Sequence, residues 1–128
     1  MTNIPSTTIF VVDDDEGIRS LAMTVLKKAG YNVTAYETIP AALEKLQDGT
    51  NPSLIVLDGL FPGMDAYDFF DAIAANASYP AVSVLMISDM LDLSRVKDRP
   101  KVKIAGRLDK PFSPDTLMKA ILGALSDL

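Results

Sequence analysis

The chain alternates short apolar runs with longer segments whose apolar residues recur every three or four positions. That is the pattern of strands and amphipathic helices in turn, laid on a parallel sheet. Ile9 to Val12 is a run of β-branched and aromatic residues that stops at acidic ones, and it predicts a buried strand. Ile18, Leu21, Ala22, Val25, Leu26 and Ala29 then fall at helical spacing. Lys27 and Lys28 sit where a helix C-terminus favours cations, and Gly30 supplies the stop. Val33 to Tyr36 predicts a weaker strand. Thr38 can cap the helix after it, Pro40 suits its first turn, and Leu43 and Leu46 line its apolar face before Gly49.

Leu54 to Leu57 is a continuous aliphatic run ending at Asp58, as expected of a central strand covered on both faces. A Pro62-Gly63 turn follows, then a helix anchored by Phe69, Phe70 and Ile73. Val82 to Ile87 predicts a fourth strand ending at Ser88. Between Asp89 and Lys103, Leu91, Leu93 and Val96 allow a short helix that Pro100 ends or distorts. Ile104 to Leu108 is the expected fifth strand. Ser113 then caps a last helix with Pro114 at its first position and Leu117, Ile121 and Leu125 toward the core. The expected fold is α/β, a doubly wound parallel sheet of five strands with about five helices on its two faces.

With 128 residues and no internal repeat or linker, the chain suits one domain, residues 1–128. No apolar run approaches the ~18–20 residues that cross a membrane, and the N-terminus lacks the basic start and apolar stretch of a secretory signal. A cytoplasmic location is the expectation. The absence of cysteine removes disulfides and thiolate chemistry. The absence of histidine removes Ser-His catalysis, imidazole metal ligands and a phosphohistidine on this chain. Acid–base or metal chemistry must therefore rest on carboxylates, lysines and hydroxyls. A net charge of −5 argues against direct DNA binding. The charge is unevenly spread: no basic residue lies between Lys45 and Arg95, while Arg95, Lys97, Arg99, Lys101, Lys103 and Arg107 crowd one stretch.

In an open α/β sheet, ligands bind beyond the carboxyl ends of the strands. Just past those ends the chain places Asp13, Asp14 and Asp15, then Asp58, Ser88 and Lys110. Taken alone, each has an ordinary structural use: the Asp13–Glu16 run as a helix N-terminus, the others as turn or cap residues. Their coincidence at one edge points to a site. Clustered carboxylates repel one another unless a cation intervenes, and a hard divalent ion with oxygen ligands, Mg²⁺ above all, relieves that repulsion. Such an ion and a lysine can together neutralise phosphoryl oxygens, leaving Asp58 as a nucleophile that forms an acyl phosphate.

These segments resemble the receiver domains of response regulators in two-component signalling. IFVVDDDEGIR resembles the first strand and acidic pair, LIVLDGLFPGMD the acceptor strand and its loop, LMIS the switch hydroxyl, and DKPF the lysine motif. The resemblance implies a flavodoxin-like strand order 2-1-3-4-5. It implies a metal site of Asp13, Asp14, Asp58 and the backbone carbonyl of Leu60, with Asp58 as phosphoacceptor and Ser88 and Lys110 acting on the phosphoryl group. It also implies a cis Lys110–Pro111 bond. The phosphoryl donor would be a sensor histidine kinase or a histidine phosphotransfer protein. With no output domain expected, the readout would be a downstream protein target or self-association through residues 89–112. The only catalysis expected is that of the domain's own phosphorylation and dephosphorylation.

Some positions depart from the family pattern. Ala66 replaces the last glycine of the acceptor loop, Asp89 follows the switch hydroxyl, Arg107 stands where an aromatic residue is usual, and Pro100 interrupts the fourth helix. They leave open a receiver-fold binding module that works without phosphorylation. A third possibility is a haloacid-dehalogenase-type phosphatase, with Asp13 as nucleophile and Asp15 as general acid.

Overall fold

A computed structural model describes residues 7–59, 63–87 and 100–126. Within them run β1 (Thr8–Val12), α1 (Glu16–Lys28), β2 (Asn32–Tyr36), α2 (Ile39–Gln47) and β3 (Leu54–Asp58). Next come α3 (Ala66–Ala75), β4 (Val82–Ile87), β5 (Val102–Leu108) and α4 (Pro114–Ser126). All the strand pairs are parallel, in the order β2-β1-β3-β4-β5 that the resemblance implied. The helix expected around Leu91, Leu93 and Val96 lies outside the described residues, so four helices stand where about five were expected. None of the described helices is long and apolar enough to cross a membrane.

The helices begin and end for local reasons. Asp15 caps α1, its carboxylate accepting from the amides of Gly17 and Ile18, and Gly30 at φ +97° turns the chain out of the helix. Thr38 caps α2 through the Ala41 amide, and Ser113 caps α4 through the Thr116 amide, as the sequence predicts. In α3, Asp65 and Asp68 each accept the other's backbone N–H at 3.0 Å, a capping box built from two aspartates. Ala66 is the first residue of that helix and is fully buried, so the departure from glycine puts a methyl group into the core.

Side chains alternate between two cores. Phe10, Val12, Ile55, Leu57, Val84 and Met86 pack with Ile39, Leu46, Phe69 and Phe70 beneath α2 and α3. Ile9, Val11, Leu54, Val56, Leu85 and Ile87 pack with Leu26, Leu117 and Ile121 beneath α1 and α4. β3 is buried at every position, which is why its sequence is unbroken by polar residues until Asp58.

β5 starts at Val102, two residues before the expected Ile104. Val102 and Ile104 pair with Val82 and Val84 on the α2–α3 side, and a bulge then inserts Ala105, so that Gly106 pairs with Leu85. Strand parity flips there. Leu108 consequently enters the core beneath α1 and α4, and Arg107 shares the face of Met86. The exposed and half-exposed positions Lys103 and Arg107 masked this alternation in the sequence.

Candidate functional site

The site follows from sheet register. Val12 of β1 lies beside Leu57 of β3, so the next residues, Asp13 and Asp58, emerge side by side at the carboxyl edge. Both are buried, Asp13 at 0% and Asp58 at 4% exposure, whereas Asp14 is exposed at the mouth. Buried carboxylates need compensation. Lys110, two residues past β5, supplies it: its Nζ lies 2.9 Å from Asp13 Oδ2 and 3.3 Å from Asp58 Oδ2. The Lys110–Pro111 peptide bond is cis, as the resemblance implied.

Asp13 is hydrogen-bonded at its amide, its carbonyl and one carboxylate oxygen. Its amide donates to the Tyr36 carbonyl of β2, and its Oδ1 accepts from the Asp15 amide at 2.8 Å. Its carbonyl accepts from Arg19 Nη1 at 2.9 Å. Oδ2 has Lys110 close by as an ion-pair partner but no donor aligned for a hydrogen bond. Burial alone would lower the affinity of Lys110 for its proton. The close approach and charge of Asp13, then the charge of Asp58, outweigh it, and the ammonium is held above its usual 10.5.

One oxygen from each of Asp13, Asp14 and Asp58 lies within 4.8 Å of the others. Three such oxygens, beside a buried Asp13 whose Oδ2 has no aligned donor, suit a hard divalent cation that keeps part of its water shell. Of the residues the sequence singled out, Asp13, Asp14, Asp58 and Lys110 therefore meet. Asp15 does not join them, because its carboxylate is committed to the α1 cap. Ser88 and the Leu60 carbonyl lie outside the described residues, as do Asp89, Arg95, Lys97 and Arg99. Arg107 turns outward, its Nε and Nη2 both 2.9 Å from Asp109 Oδ1. Arg19 is the residue that sequence reasoning passed over. Its signal was an arginine six positions after Asp13, one turn inside the helix, where side chains lean back toward the N-terminus.

The family model of the response regulator receiver domain matches residues 9–122. The chain belongs to the response regulator receiver family. The domain is 37% identical over 117 residues to Protein PilG of Pseudomonas aeruginosa, covering 88% of this chain and 83% of PilG. It is 29% identical over 118 residues to the transcriptional regulatory protein FixJ of Bradyrhizobium diazoefficiens, covering 91% of this chain but 56% of FixJ. The chemotaxis response regulator CheY4 of Vibrio cholerae shares the fold at a TM-score of 0.79 and 27% identity, over 93% of this chain and 98% of CheY4. Receiver domains serve two-component signalling, in which phosphorylation on aspartate and Mg²⁺ binding at an acidic cluster are typical. They interact with histidine kinases or phosphotransfer proteins and with downstream targets.

Proposed function

We propose that this receiver domain accepts a phosphoryl group on Asp58 from the phosphohistidine of a partner kinase or phosphotransfer protein, and so switches a protein-binding surface. The observation that carries this reading is one ammonium held between two buried carboxylates, with a third carboxylate at the mouth. Asp13, Asp14 and Asp58, with the Leu60 carbonyl, would hold Mg²⁺, which supplies positive charge to the phosphoryl oxygens. Asp58 then attacks phosphorus, the phosphorus–nitrogen bond to the donor imidazole breaks, and the imidazole leaves with a proton. Lys110 is already charged and close enough to neutralise a phosphoryl oxygen on Asp58. Ser88 is proposed to donate its hydroxyl to another and to draw its loop with it. The readout is a change in population between two forms of the surface formed by residues 89–112, read by a target protein or a second copy.

We further propose that the domain turns over no external substrate and acts in the cytoplasm. A phosphatase of the dehalogenase type needs Asp15 as a free general acid, and here that carboxylate accepts two backbone amides. The test is to incubate the protein with Mg²⁺ and acetyl phosphate. A single, hydroxylamine-labile phosphoryl adduct on Asp58, absent from Asp58→Asn and from samples with chelator, is expected. An unmodified Asp58 under these conditions refutes the reading.

A further inference from the structure

We infer that Arg19 is a positioning residue of the acidic cluster, one that sets cation affinity by clamping the backbone of Asp13. The inference rests on the cation-assisted reading of the site given above. Arg19 lies in α1, one turn past the cap, and its Nη1 donates to the Asp13 carbonyl at 2.9 Å. The contact closes the set of bonds around Asp13. The other three partners come from β2, from the cap residue Asp15 and from Lys110. Without Arg19, the carbonyl at the end of β1 loses its side-chain partner, and the peptide joining Asp13 to Asp14 gains freedom to rotate. That peptide links the buried ligand of the cluster to the exposed one.

Two general considerations make this placement informative. A cation near a helix N-terminus opposes the helix dipole, so local helix physics gives no reason for an arginine there. A cation close to the cluster also repels a divalent ion, so its charge alone works against metal binding. Both effects would be relieved by a neutral residue. What a neutral apolar residue cannot do is hold the carbonyl. Charge and clamp therefore act on cation affinity with opposite signs, and the experiment separates them.

Arg19→Met keeps an unbranched stem and good helix propensity but removes the donor and the charge. Arg19→Lys keeps a donor of similar reach and the charge. Mg²⁺ affinity of the full chain is measured by titration calorimetry, alongside the rate of Asp58 phosphorylation by acetyl phosphate at fixed Mg²⁺ and the thermal midpoint. Lys45→Ala, at an exposed position in α2, serves as a control for loss of one positive charge. The expected result is a Mg²⁺ affinity weakened about tenfold in Arg19→Met, as when other supporting partners of metal ligands are lost. Arg19→Lys is expected to recover most of it, and Lys45→Ala to match the unaltered protein.

An Arg19→Met protein that binds Mg²⁺ as tightly as the unaltered protein, or more tightly, overturns the inference, even if its thermal midpoint falls. So does a loss of affinity that Arg19→Lys leaves unrepaired. If the unaltered protein itself neither binds Mg²⁺ nor gains a phosphoryl group, the reading of the site fails and the role of Arg19 fails with it.

Discussion

Replacing Lys110 with methionine removes the ammonium from two buried carboxylates while keeping most of the side-chain volume. At an effective dielectric constant of about 20, separations of 2.9 and 3.3 Å correspond to about 6 and about 5 kcal/mol of attraction. The cost of desolvating the ammonium cancels part of this. A second limit is firmer. The variant need not keep two unpaired charges, because one carboxylate can take up a proton. From pH 7, protonating an aspartate of ordinary affinity, near pKa ~3.9, costs about 4 kcal/mol. The expected loss of stability at pH 7 is therefore about 2–4 kcal/mol, in the range for breaking a buried ion pair.

At pH 5 the same ceiling is only about 1.5 kcal/mol. The sign follows from proton counting: the folded variant binds more protons than its unfolded chain in this window, so its stability falls as pH rises. Urea unfolding followed by circular dichroism measures this, since the chain has no tryptophan for fluorescence. Added Mg²⁺ should restore part of the loss. A deficit below about 1 kcal/mol at pH 7, or one of equal size at pH 5 and pH 7, would refute the assignment of Lys110 as the counter-charge.

In the unaltered protein, the stabilising contribution of Lys110 is fully present below its usual 10.5 and is lost as pH climbs through its raised folded value; alkaline unfolding curves of the unaltered and Lys110→Met proteins should therefore converge only above that usual value. A Cβ at Gly106 would come within 3.1 Å of Leu85 Cδ1, so Gly106→Val should overpack the core beneath α1 and α4 and cost about 1–3 kcal/mol in urea midpoint-derived stability. Asp65→Ala opens the capping box of α3 and should cost about 1 kcal/mol. Arg107→Ala breaks an ion pair in open solvent, with side chains 46% and 66% exposed, and should change stability by less than ~1 kcal/mol, an effect that vanishes in high salt.

Apolar patterning by itself determined the sheet of five parallel strands, the caps at Thr38 and Ser113, and the strand ends at which Asp13, Asp14, Asp58 and Lys110 stand. It could do so because burial on both faces forces unbroken aliphatic runs, and a charged residue marks where such a run must leave the core. Tertiary structure decided which of those groups meet. Asp15, next to Asp14 in sequence, is spent on capping a helix, while Lys110, 97 residues from Asp13, lies 2.9 Å from its carboxylate. Periodicity was blind to the bulge at Ala105, since one extra residue reverses every side chain after it without changing composition. The grip of Arg19 on a main-chain carbonyl was equally hidden, because a backbone acceptor has no letter in a sequence and is found only when the chain is folded around it.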